Sequence, residues 1–256
     1  MPAPDIEAVI FDWGGTLTPW HAVDFDEEAR ALAAAAVEPP HDRDAEKAVA
    51  GADAVHVRLG RAGQAVWGRS RDEHTSATVA DIFTEAGLTH DESLLVAYRE
   101  FWAPHSITDP DVAPLLSRLR VDGVRVGVLS NTVWPRAWHE EFFERDGVLD
   151  LIDAAVYTSE IPWTKPSPQA FRAAMDAVGV EDAASCVFVG DRLFDDIWGA
   201  SNVGMRTIHV PHSDIPREQV GHTEGAPDAV VEQLAHVHDV VSAWRAAGLA
   251  ARDLRR

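Results

Sequence analysis

One cysteine, Cys186, and two lysines, Lys47 and Lys165, are all that 256 residues contain of either type. A lone cysteine excludes an intrachain disulfide, and its place in the apolar run Cys186-Val187-Phe188-Val189 points to a reducing compartment. No apolar run approaches the roughly 20 residues needed to span a bilayer. Residues 1–11 lack the basic start and long apolar stretch of a secretory signal, so the expectation is a cytoplasmic protein. Positive charge is scarce too: 22 Lys and Arg stand against 42 Asp and Glu, a formal net charge of −20. That balance argues against nucleic-acid or anionic-membrane binding, which depends on clustered basic side chains. An anionic substrate would need local positive charge, from a divalent cation or from a lysine beside it. Internal repeats and low-complexity linkers are also lacking.

What is present is enough for a sizeable core: 46% of the residues are apolar, and mean hydropathy is −0.14, as in globular chains. Short apolar runs predict strands at 6–11, 124–129, 153–157, 186–189 and 206–210. Between them the pattern predicts helices near 109–119 (closed at Gly123), 135–145, 167–178 (closed at Gly179), 195–202 and 229–246. Strands alternating with helices of this length imply βαβ units and a parallel sheet. From Asp24 to His105 the pattern is helical instead. Ala-rich segments at 26–37 and 44–57 precede a run at 71–87. Thr89-His90-Asp91-Glu92 then forms a capping-box pattern ahead of Leu94, Leu95, Tyr98, Phe101 and Trp102. The expected architecture is a doubly wound, Rossmann-like α/β core of residues 1–19 and 109–256, with a helical cap domain of residues 20–108 inserted into it.

Four of the strand-end turns carry chemistry. Asp12 ends Ala8-Val9-Ile10-Phe11 and opens Trp13-Gly14-Gly15-Thr16-Leu17. Ser130-Asn131-Thr132 follows Val126-Gly127-Val128-Leu129, and Lys165 lies in Trp163-Thr164-Lys165-Pro166-Ser167-Pro168. Gly190-Asp191 ends strand 186–189, with Asp195-Asp196 close behind. Each alone is an ordinary turn, since Asp, Asn, Ser, Gly and Pro all favour turns. Open α/β sheets gather ligands at the carboxyl ends of their strands. There an aspartate, a hydroxyl, a lysine and an acid pair would supply the nucleophile, donor, cation and metal site for moving a phosphoryl group.

In this order and spacing the four motifs resemble the haloacid dehalogenase superfamily, and the helical insertion resembles the mobile cap of its subfamily I. The resemblance implies Mg²⁺-dependent hydrolysis of a small phosphorylated metabolite through an aspartyl-phosphate on Asp12. It assigns Ser130 and Lys165 to catalysis, Gly15, Thr16 and Asn131 to substrate binding, and Asp12, the Gly14 carbonyl, Asp191 and Asp196 to the metal. Asp195 is left as a supporting residue or helix cap.

Gly14 departs from the pattern. Phosphatases of the family usually carry there a second aspartate, the general acid and base, whose help is worth typically 10²–10⁴-fold. Its absence implies slow hydrolysis, a substitute donor such as His21, Asp24 or Asp26, a weakened member that binds a metabolite or partner, or a different reaction. Trp13-Gly14-Gly15-Thr16 also resembles the Asp-Trp-Ala-Gly-Thr of phosphonoacetaldehyde hydrolases. Their C–P cleavage uses a cap lysine, for which Lys47, in Asp44-Ala45-Glu46-Lys47, reads better as a solvated helix face. C–halogen cleavage is the remaining alternative, disfavoured by the acid pair. Trp13, Trp20, Trp134 and Trp163 near the motifs read as packing, and His209 and His212 as loop residues without a ligand set.

Overall fold

A computed structural model describes residues 5–19, 23–36, 45–89, 92–211 and 222–253 of the chain. Six parallel strands lie in the order β3-β2-β1-β4-β5-β6: β1 (Ala8–Phe11), β2 (Arg125–Ser130), β3 (Ala154–Tyr157), β4 (Cys186–Gly190), β5 (Arg206–His209) and β6 (Ala229–Val230). β1 is central and buried on both faces, which is why its sequence is apolar without alternation. Val9 and Phe11 face one hydrophobic cluster, which includes Leu115, Leu116 and Val237, while Ala8 and Ile10 face another, which includes Phe171 and Met175. Helices cover both faces: α5 (Val112–Val121), α6 (Arg136–Arg145), α7 (Pro168–Val178), α8 (Gly199–Val203) and α9 (Val237–Asp253).

Register decides where the turns land. Phe11 pairs with Val128 on one side and Val189 on the other. Asp12 therefore leaves β1 at the same edge as Ser130 and Asp191 leave their strands. The order of connections reverses about β1, the place where such sheets form a ligand crevice.

Between β1 and α5 the described residues form four α-helices, α1 (Phe25–Ala36), α2 (Ala45–Glu73), α3 (Val79–Glu85) and α4 (Glu92–Trp102). α1 packs on α2 and α4, and α2 on α3. The structure departs here from the expected segments. α2 runs unbroken for 29 residues, through Gly51, Gly60, Gly63 and Gly68, which weaken helix propensity and hid the continuity. Val55, Leu59, Ala62 and Val66 override them by burying one face. The observed capping box is at Thr78 and Asp81, starting α3. The one expected around Thr89 includes His90 and Asp91, which lie outside the described residues.

At the other end of the chain, residues 229–233 are not helical and Leu234–His236 form a single 3₁₀ turn. Ala229–Val230 pairs with β5 as a sixth strand, held by Asp228, whose carboxylate accepts from the Thr207 N–H at 2.8 Å. Helix α9 starts only at Val237. No helix among the described residues is long and apolar enough to cross a membrane.

Candidate active site

Asp12 is fixed by its own strand: its N–H donates to the Val189 carbonyl at 2.9 Å, and only 5% of the residue is exposed. The turn behind it is closed by Gly15, whose N–H donates to the Thr18 carbonyl at 2.8 Å. Gly15 has φ +93°, and a Cβ there would lie 2.5 Å from Asp191 Oδ2. Glycine is thus required twice, by conformation and by the acid packed over it. Gly14 is different: a Cβ built on it meets nothing within 4 Å, so the missing side chain leaves open space.

Lys165 reaches the site from the loop before α7. Its Nζ donates to Asp12 Oδ1 at 2.5 Å and to Asp196 Oδ1 at 2.7 Å, and all three residues are buried. The loop is clasped to the end of β2 by the Asn131 side chain. Asn131 Oδ1 accepts from the Lys165 N–H at 2.8 Å, and its Nδ2 donates to the Lys165 carbonyl at 3.0 Å. Ser130 and Thr16 are buried at the same edge. A one-turn π-helix, Leu193–Trp198, presents Asp196, whose Oδ2 accepts from the Arg192 N–H at 2.8 Å.

Asp12, Asp191 and Asp196 bring carboxylate oxygens within 4.8 Å of one another. Lys165 serves two of the three acids. Both carboxylate oxygens of Asp191 are buried without a hydrogen-bond partner, and the nearest cation, the Arg192 guanidinium, lies 3.6 Å away. Burial, then the charges of Asp12 and Asp196, push the Asp191 carboxyl well above the ordinary range. Burial likewise pushes Asp12 up to about 6 against the pull of Lys165, and Asp195 up to about 6 with the help of Asp196. Buried acids this close need an offsetting cation. Hard carboxylate oxygens with orphaned lone pairs suit a divalent metal ion, so the residues present fit such a group.

The structure thus gathers Asp12, Gly14, Gly15, Thr16, Ser130, Asn131, Lys165, Asp191 and Asp196 at one sheet edge. Asp24 instead caps α1, its Oδ1 accepting from Asp26 N at 2.9 Å and Glu27 N at 3.1 Å. Asp26 is exposed, 3.8 Å from His56. Trp13 and Trp134 are packed ring to ring, 5.1 Å between centroids, whereas Trp163 is 40% exposed. Trp20, His21 and His212 lie outside the described residues, as does the side chain of Lys47. His209, read as a loop residue, ends β5 and donates from Nε2 to the Asp191 carbonyl at 3.0 Å, positioning the orphaned acid. Its place at a strand end next to β4 was the available signal.

A parallel sheet with a carboxylate, a lysine and an acid cluster at the carboxyl edge of its central strands defines an α/β protein whose site lies where such sheets gather ligands. A family model for haloacid dehalogenase-like hydrolases matches residues 6–204, and the chain belongs to that family. A glyceraldehyde 3-phosphate phosphatase of Methanopyrus kandleri is 30% identical over 147 residues, 57% of this chain and 62% of that protein. The match thus spans under two thirds of that relative. Among solved structures, a phosphatase of the same superfamily from Thermococcus onnurineus aligns with TM-score 0.62 and 23% identity, over 92% of this chain and 97% of that one. An L-2-haloacid dehalogenase from Xanthobacter autotrophicus aligns with TM-score 0.58 and 20% identity, over 93% and 98%. At these identities the structural likeness speaks for the fold.

Proposed function

We propose that the protein hydrolyses a small phosphate monoester, with Mg²⁺ as cofactor and Asp12 as the nucleophile. The observation that carries this reading is the Asp12–Lys165–Asp196 arrangement with the orphaned Asp191 carboxylate beside it. The phosphatase name of the Methanopyrus relative supports a phosphorylated metabolite as substrate.

An Asp12 carboxylate oxygen bonds to phosphorus and the alcohol departs, leaving an aspartyl-phosphate that water then hydrolyses. Lys165 Nζ, held between two carboxylates, offsets charge on the nucleophile and on the transferring group. The Ser130 hydroxyl and the backbone N–H of Asn131 donate to phosphoryl oxygens, while Gly15 and Thr16 line the approach. Asp12, Asp191, Asp196 and the Gly14 carbonyl would hold Mg²⁺, which would supply the positive charge that lets a phosphate approach three acids. Residues 1–19 and 109–256 act as the core, and residues 20–108 as a cap that excludes water on closing. The reaction belongs to the cytoplasm. The acid cluster argues against a metal-free C–halogen hydrolase.

Asp12→Asn is expected to abolish Mg²⁺-dependent turnover of p-nitrophenyl phosphate while leaving the thermal unfolding transition in place. Comparable turnover in that variant would falsify the assignment of the nucleophile.

A further inference from the structure

The turn after β1 carries no proton donor at Gly14, and the acids that follow it are committed elsewhere, Asp24 to a helix cap and Asp26 to solvent. The described helices of the insertion meet the core beside the site at residues 70–79. His74 stands at that junction. Its carbonyl accepts from the N–H of Thr164, the residue before Lys165, at 3.1 Å. Thr75 forms an isolated bridge with Trp163, and the Thr164 hydroxyl donates to the Ser70 carbonyl at 3.2 Å. The His74 ring lies 6.3 Å from that of Phe194, on the turn that presents Asp195 and Asp196. The backbone of His74 therefore lies against the lysine loop, and its ring lies near Phe194 on the acid turn.

Two features of His74 are costly for a residue with only a packing role. It has φ +54°, and among the described residues it is the one non-glycine with positive φ. Such backbone is retained where the surroundings enforce it, often at functional sites. Its Nδ1 is buried with no hydrogen-bond partner, an arrangement that costs free energy unless something else engages the nitrogen.

We propose that His74 is the proton donor and acceptor of the reaction, supplied by the inserted helices in place of the side chain that Gly14 lacks. This rests on the phosphate-monoester reading above. As imidazolium, His74 gives its proton to the ester oxygen while an Asp12 oxygen bonds to phosphorus and the bond from phosphorus to that ester oxygen breaks. The alcohol leaves neutral. The neutral imidazole then takes a proton from the water whose oxygen bonds to phosphorus. The bond between phosphorus and Asp12 breaks, phosphate departs, and carboxylate and imidazolium are both restored.

The test is turnover of esters with good and poor leaving groups, p-nitrophenyl phosphate and alkyl phosphates, with Mg²⁺. Wild type is compared with His74→Asn, Gly14→Asp and the double variant. Asparagine tolerates left-handed backbone, so the bond to Thr164 is kept while the imidazole is lost. His74→Asn is expected to lose about 10²–10⁴-fold in kcat/KM on alkyl phosphates and less than about 10-fold on p-nitrophenyl phosphate. Gly14→Asp, for which there is room, restores the alkyl phosphates in the double variant. An equal loss on both ester classes, or no loss on either, overturns the proposal.

If circular dichroism shows that His74→Asn fails to fold, wild type and Gly14→Asp decide. A wild type already tolerant of poor leaving groups, and unaltered in that tolerance by Gly14→Asp, supports His74. A steep wild-type dependence that Gly14→Asp flattens shows that no donor was present and overturns it. A wild type that turns over no phosphate ester at all removes the monoester reading itself, and this role with it.

Discussion

Lys165 shows how much one side chain carries. Burial opposes its charge, but Asp12 and Asp196 outweigh that and hold the ammonium protonated well above lysine's ordinary range. Lys165→Met removes the partner of two buried carboxylates at once. Breaking a buried pair from one side costs about 3–5 kcal/mol, and a loss of that order is expected in urea unfolding with EDTA present, together with loss of turnover. Unfolding free energies that match in EDTA would mean that the acids find another counter-charge. In a chain with two lysines, the lysine in a proline-flanked turn stood out in the sequence, and the structure places it between Asp12 and Asp196. The role of Asn131 was only half legible: its turn position was plain, but the clasp on the Lys165 backbone joins two loops 34 residues apart.

Secondary-structure elements were readable where burial was simple. All-apolar runs with polar stops marked β1, β2 and β4, because a doubly covered parallel strand has no polar face. The glycine-rich α2 and the two-residue β6 were not legible, since tertiary packing decides both. His74 escaped for a similar reason. Nothing local to residues 70–76 announces that they meet the loop at 162–164.

Helix α6 offers a pH test. His139 is fully buried on it, stacked on Tyr157 with ring centroids 4.3 Å apart, and its Nε2 lies 3.1 Å from Thr132 Oγ1. Burial, aided by the charge of Arg136, pulls its imidazole down to about 3. The unfolded chain therefore takes up this proton below about pH 6.5 while the folded one stays neutral. Stability is fully present above that pH and falls toward pH 3, by about 1.4 kcal/mol per unit from this group. His139→Phe should flatten the fall between pH 7 and pH 5 in urea titrations. Parallel curves for variant and wild type would show that the ring titrates freely in the folded state.

At the scale of the whole molecule, a chain of net charge −20 concentrates three buried carboxylates around a single lysine. A cation that binds the folded chain alone adds about 2.7 kcal/mol at a hundred times its Kd. For a chain of this size that is a rise in Tm of roughly 5–10 °C. Mg²⁺ is expected to produce such a rise, and Asp191→Asn to lose most of it. A rise of the same size in the variant would place the ion elsewhere.

The seam between Thr164 and residues 70–76 has a mechanical consequence. The helices cannot swing away without tearing bonds adjacent to the lysine that restrains the nucleophile. An outward movement of these helices would break the bonds at Thr164, while the Asn131 clasp would keep the neighbouring lysine on β2.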